Sequence, residues 1–255
     1  MEIQLNYGNW IRRRVLIILA VCTLVAGILA FLPIGLYHLV PIFFFIIFLI
    51  SFLFPAYAYI MFSQKGGKFQ EKVFNLIVQN LGEIGSGRIL DIGSGNGVLA
   101  VKIAQQNPQA EVVGVDYWGA DWEYSKGVCD TNARVAEVSD RVHFQNGDAA
   151  TLDFPTSAFD GAVSNLTFHE VRSIADKRAV LQEALRVVKT GGSFVFVDYF
   201  FEPKYYGEST AFEAFLKNLG LAQFEYEPLH FMIPIPLLLK HPKILGKVGM
   251  IHGRK

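Results

Sequence analysis

Three glycines at alternate positions, Gly93, Gly95 and Gly97, follow an aspartate, Asp91, in the stretch RILDIGSGNGVLA at positions 88–100. Glycine turns a backbone this tightly and leaves no Cβ in the path of a ligand. The apolar residues before the turn (Ile89, Leu90) read as a strand end, and those from Val98 onward as a helix whose first N–H groups point into the turn. Such a turn at the carboxyl end of a first strand holds a nucleotide-type ligand. The flanking residues decide which one. The dinucleotide fingerprint G-x-G-x-x-G/A needs a small residue where Val98 stands, and the phosphate-cradling G-K-[ST] is absent. An acid two residues ahead of the first glycine repels a pyrophosphate and suits a ligand with a cationic amine.

Other reactive side chains stand at the ends of further apolar runs. Asp116 closes VVGVDYW, Asp148 lies in FQNGDAA, His169 and Glu170 end FDGAVSNLTFHEV, and Asp198 and Tyr199 end VVKTGGSFVFVDYF. Each has a structural reading: Asp116 as a helix cap, Asp148 and Asp91 as turn residues, His169 as a histidine bonded to backbone, Glu170 as a cap or a partner of Arg172. The recurrence of acids at successive strand ends favours the functional reading. His169 is the first candidate for a base, because imidazole titrates near neutral pH.

The elements that must position these residues alternate. Helical spacing covers 69–81, then strand 88–92, helix 98–105, strand 111–115, helix 125–138, strands 141–145 and 160–165, helix 174–188, strand 192–199 and helix 210–219. Two more strands are expected near 222–227 and 247–252. Strands alternating with helices predict an α/β fold, a doubly wound and mostly parallel seven-stranded sheet with helices on both faces. Ligands of such sheets bind outside the carboxyl ends of the strands.

The glycine stretch resembles motif I of the class I, Rossmann-like S-adenosylmethionine-dependent methyltransferases, and the other four stretches resemble that family's later motifs in order and spacing, over about residues 68–254. The resemblance implies a methyltransferase using S-adenosyl-L-methionine. It places Asp91, Gly93, Ser94, Gly95 and Gly97 at the cofactor, with Asp116 on the ribose hydroxyls beside Tyr117, and Asp148 on the adenine amine beside Ala149. It brings Asn165, at the end of the fourth strand, to the border of the methyl group. His169, Glu170 and Tyr199 are the implied catalytic candidates, and no metal is assigned. The signature [N/D]-P-P-[Y/F] of amine-methylating members is replaced by NLTF at 165–168, which argues against base and amide nitrogens as acceptors and leaves carbon, oxygen and aliphatic nitrogen.

The chain of 255 residues is 52% hydrophobic, and the excess lies at one end. No Asp, Glu, Lys or Arg occurs from Val15 to Gln64, which contains two apolar runs, 15–32 and 40–62, each long enough to cross a bilayer. They predict a membrane anchor over 1–65, a helical hairpin linked through Pro33, Gly35 and Pro41, ahead of a methyltransferase domain over 66–255. Arg12, Arg13 and Arg14 before the first run, with Lys65 and Lys68 after the second, place both ends and the domain in the cytoplasm. A cleaved signal peptide has a shorter core and no second span behind it. Cys22 and Cys129 imply no disulfide framework. The formal net charge of zero does not favour nucleic acid as a partner.

An aromatic cluster (Tyr117, Trp118, Trp122, Tyr124) follows the second strand, and LHFMIPIPLLLKHP (229–242) follows the sixth. Pro234 and Pro236 deny the latter a regular helix. Its Phe231, Met232, Ile233, Ile235, Leu237, Leu238 and Leu239 are expected to be buried: as an apolar lid over the substrate, in the bilayer with Lys240, His241 and Lys243 at the headgroups, or against the domain's own helices. A lipophilic acceptor (a lipid, isoprenoid or quinone precursor) accounts for both anchor and loop. A tethered enzyme for a soluble metabolite or protein, and a membrane-bound module that only binds the cofactor, are the alternatives.

Overall fold

The computed structural model describes residues 5–32, 39–120 and 122–255. Pro33 and Gly35 of the expected link lie outside them. The chain divides into two compact units, one of residues 7–71, the other of residues 72–255 together with the first residues through Asn6. The division falls within α3 (Phe69–Leu81), and Asn6 bonds to Asn132 of the larger unit.

In the smaller unit, α1 (Arg13–Ala30) and α2 (Leu39–Phe62) pack on each other. Both are long and apolar enough to span a membrane, with mean hydropathy 2.2 and 2.7. Pro41, expected in the link, sits in the first turn of α2, where a missing N–H costs no helical bond. Pro55 lies inside α2.

The larger unit is a seven-stranded sheet in the order β3-β2-β1-β4-β5-β7-β6. Its strands are β1 (Arg88–Ile92), β2 (Glu111–Asp116), β3 (Val142–Asn146), β4 (Phe159–Asn165), β5 (Val188–Asp198), β6 (Gln223–Pro228) and β7 (Gly249–Arg254). All neighbours run parallel except β7, which is antiparallel to β5 and β6. The helices between them are α4 (Val98–Gln106), α5 (Lys126–Val135), α6 (Lys177–Arg186), α7 (Pro203–Tyr206) and α8 (Ser209–Lys217). Strands rich in Val, Ile and Phe, such as Phe194–Val197, are buried on both faces, as a covered parallel sheet requires. The core runs through Leu90, Ile92, Val113, Phe159, Phe194, Phe196 and the aromatic group Phe200, Tyr206 and Phe212. The strand order reverses between β1 and β4, which makes their carboxyl ends the crevice of the fold.

Two expectations shift. The helix expected over 174–188 is the shorter α6, with Asp176 as its N-cap, its side chain accepting from Arg178 N. The glycine turn expected before β5 lies inside that strand. Register passes from Phe159↔Val188 to Gly161↔Ser193, so residues 189–192 bulge out opposite Asp160. Lys255 fills the gap, its carbonyl accepting from Gly191 N–H and its own N–H donating to Gly192 O.

Candidate active site

The glycine turn is fastened to β2: Gly93 N–H and Ser94 N–H both donate to Val115 O, at 2.7 and 3.2 Å. Gly93 has φ +79°, and a Cβ there would collide with the Thr167 side chain just past β4. Gly97, the N-cap of α4, has φ +75°, and its Cβ would strike the Phe144 ring. The alternate glycines thus serve close packing on two sides as well as the turn itself.

Ser94 Oγ donates to Asp91 O at 3.0 Å, a bond that closes the turn from within. Both carboxylate oxygens of Asp91 are buried without a hydrogen-bond partner, and burial, opposed by the nearby Ser94 hydroxyl and reinforced by the Asp116 charge, pushes the carboxyl up to about 7. A buried unpaired acid at this position is a receptor for a cation. That chemistry fits the amine of S-adenosylmethionine, with the glycine backbone beside it.

Asp116 ends β2 and reaches across to the turn. Its Oδ2 accepts from Gly95 N–H at 2.8 Å and its Oδ1 from Trp118 N–H at 2.7 Å. Burial raises its pKa against these bonds. Each oxygen keeps acceptor capacity beyond these bonds. It caps no helix; Ser125 caps α5. Trp118, at φ +43°, folds back so that its indole N–H donates to Gly95 O at 2.8 Å, and the Cys129 thiol meets the same carbonyl at 3.2 Å. Tyr117 is exposed. Trp122 and Tyr124 stack with ring centres 5.6 Å apart.

Asp148 follows β3, with Oδ1 accepting from Ala150 N–H at 2.8 Å inside its own turn; Ala149 is buried. Gly147 N–H donates to Asp116 O, so the ends of β2 and β3 are joined. Asn165 ends β4 with a buried Oδ1 that has no partner.

A 3-10 turn, Phe168–Glu170, follows β4 and delivers His169 to the end of β5. There Asp198, fully buried, accepts from His169 Nδ1 at 2.6 Å, from His169 N–H at 3.0 Å and from Tyr199 N–H at 2.6 Å. Nδ1–H bonded to a carboxylate leaves Nε2 with its lone pair, the arrangement of an oriented base. Nε2 stands 3.7 Å from Glu170 Oε1. Burial alone would lower the imidazole pKa; the Asp198 charge and hydrogen bond, with Glu170, outweigh it and raise it. Tyr199 and Tyr205 wall the ring, with centroids 4.7 and 5.5 Å away. The Tyr199 hydroxyl donates to Ile244 O at 2.7 Å, and burial pushes its pKa far up, so it serves as a wall and a strut.

The pairing of Asp198 with His169 is invisible in sequence, where the two are 29 apart. Asn132 on α5 is a second such residue. Its side-chain amide accepts from Asn6 N–H at 2.9 Å and donates to Asn6 O at 3.0 Å and to Asn96 O at 2.8 Å, which ties the chain's first residues to the glycine turn.

Sheet order, glycine turn and orphaned acid together define a class I S-adenosylmethionine-dependent methyltransferase domain. Residues 85–223 match the family described as a methyltransferase domain, and the chain belongs to that family. It is similar to ribosomal RNA large subunit methyltransferase G of Cronobacter sakazakii, 35% identical over 130 residues, or 48% of this chain and 34% of that protein. It is equally similar to demethylmenaquinone methyltransferase of Thermus thermophilus, 35% identical over 118 residues, or 46% of this chain and 49% of that protein. The chain thus spans half or less of the length of these curated relatives. Among solved structures, a geranyl diphosphate methyltransferase in complex with S-adenosylmethionine shares the fold with TM-score 0.54 at 15% identity, over 73% of this chain and 84% of that one.

Proposed function

We propose that the chain is a membrane-anchored methyltransferase that methylates a small lipophilic acceptor, a lipid, isoprenoid or quinone precursor, with His169 as general base. α1 and α2 are the two spans of the anchor, and both termini and the domain lie in the cytoplasm. The observation that carries the reading is the pair of Asp198, at the end of β5, with His169, two residues beyond the Thr167 side chain that packs on Gly93. That contact brings a base beside the cofactor turn.

S-adenosylmethionine, when bound, supplies a methyl group on a sulfonium whose neutral thioether leaves without protonation. The chain's residues do the rest. Asp91 holds the amine, Asp116 the ribose, and Asp148 with Ala149 and Tyr117 border the adenine; Gly93, Ser94, Gly95 and Gly97 form the cradle and Asn165 faces the methyl side. His169 Nε2 takes the proton of an acidic acceptor such as a phenol or enol, and Asp198 stabilises the resulting imidazolium. Glu170, 3.7 Å from Nε2, adds negative charge there. Tyr199 walls the base and excludes water.

The quinone-related name of one relative and the two bilayer-length helices support a lipophilic acceptor. The ribosomal RNA relative points elsewhere, but a formal net charge of zero does not favour RNA as the acceptor. Incubation of the purified full chain with labelled methyl donor and a fractionated membrane extract is the test. Label is expected in the lipid fraction; label confined to RNA, protein or aqueous metabolites overturns the acceptor class.

A further inference from the structure

Apart from α1, α2 and the two residues after α1, five large apolar side chains among the described residues are exposed: Tyr117, Val135, Phe231, Leu237 and Leu238. Three of the five fall within 231–238, with exposures of 75, 82 and 55%. The sequence left three places for the apolar residues of this segment: a lid, the bilayer or the domain. In the structure it divides. Leu229, Ile235 and Leu239 are rooted in the domain, while Phe231, Leu237 and Leu238 face outward.

The projecting residues stand on a fixed base. α9 (Leu229–Met232) and a 3-10 turn (Leu237–Lys240) flank Pro234 and Pro236. Leu245 N–H donates to Leu239 O, and Ile244 and Gly246 N–H both donate to His241 O. Rigid, outward apolar side chains are costly in water and mark a contact surface. Lys240, His241 and Lys243 are exposed beside them, and no Asp or Glu occurs from Leu229 to Lys255. An apolar ridge rimmed by cations without acids matches the boundary between acyl chains and anionic headgroups. The link from the proposed spans to the domain is short. Six residues, 63–68, separate α2 from α3, a tether of at most about 20 Å.

The ridge belongs to the reactive edge of the sheet. Gly249 pairs with Asp198 on one side and Pro228 on the other, so the segment from 229 to 248 leaves from the row that holds the histidine's carboxylate. The Tyr199 hydroxyl, bonded to Ile244 O, links the ring beside His169 to the same segment.

We propose that Phe231, Leu237 and Leu238 form a ridge that inserts into the interfacial layer of the bilayer, with Lys240 and Lys243 on anionic headgroups, and so opens the active site toward the membrane. The proposal rests on α1 and α2 being spans. The test uses the full chain in nanodiscs containing anionic lipid. An environment-sensitive fluorophore is attached at L238C, at I50C within α2 and at V135C on α5, with wild-type labelling of Cys22 and Cys129 subtracted. Emission at position 238 is expected to shift blue and to be quenched by lipids carrying a shallow spin label. Position 50 is expected to respond to a deep label and position 135 to neither, and K240Q with K243Q should weaken the response at 238. Quenching at 50 without quenching at 238 overturns the ridge and leaves the anchor. Absence at both overturns the anchor reading and the ridge with it. A blue-shifted but unquenched 238 identifies a lid or a second copy as the occupant and also overturns the ridge.

Discussion

In the proposed reading, Asp91 is held in a state that costs the empty protein and serves the loaded one. Burial pushes its pKa up to about 7 in the fold, against 3.8 for an ordinary aspartate side chain. Between those values the native state binds more protons than the unfolded one, so the stability of the cofactor-free protein falls as pH rises from about 4 to 7. His169, raised in the fold by Asp198, acts in the same direction: its contribution is complete below about 6.5 and fades as pH climbs through the native value. Asp91→Asn removes the buried charge. We expect the empty protein at pH 8 to gain on the order of 1–3 kcal/mol while cofactor affinity drops about 10- to 100-fold; paired denaturation and titration calorimetry check both. Because the bound amine keeps the wild-type carboxylate ionised, cofactor binding below neutral pH should release a proton, visible as a heat that varies with the ionisation enthalpy of the buffer. Asp198→Asn should lower kcat about 100-fold and move the ascending limb of the pH–rate profile to lower pH, since the imidazole loses the charge that raises it. An unmoved limb would detach Asp198 from the proton transfer.

At the level of elements, β2, β4 and α5 are bound together by the single turn they surround. Gly93→Ala combines a disfavoured φ of +79° with collision against Thr167, and we expect a loss of more than about 2 kcal/mol with no cofactor binding. Asn132→Ala breaks three hydrogen bonds and should cost about 1–3 kcal/mol, with faster amide exchange at Asn6, whose N–H it accepts. Asn132→Asp, which replaces a donor by a second acceptor facing Asn6 O and Asn96 O, should be no better. The sheet was legible in sequence wherever burial writes itself as an unbroken apolar run, as at Ile89–Ile92, Val112–Val115 and Phe194–Val197. The turn was legible because three positive-φ positions need glycine. What sequence concealed depends on partners far along the chain. The bulge of β5 is completed by Lys255, the base is oriented by a carboxylate on another strand, and Trp118 folds onto Gly95 only because Asp116 holds its N–H. Which residues of 229–240 face outward was left open by the sequence, because a proline-broken segment has no period that tells inside from outside.

For the molecule as a whole, the proposed topology follows from the arginines at 12–14 and the lysines at 65 and 68. Reporter fusions at either end should be active only in the cytoplasm, and exchanging Arg12, Arg13 and Arg14 for glutamate should reduce or invert that orientation; a reporter active outside in the wild type would refute it. One strand has a wider consequence. Because β7 alone runs against the sheet, its entry, and not its exit, lies level with the reactive carboxylates. The hairpin that feeds it can therefore lengthen, shorten or change its chemistry without moving the ends of β1, β2 and β3. That leaves a replaceable port, through which the same fold could be refitted to a new cargo by editing about twenty consecutive residues.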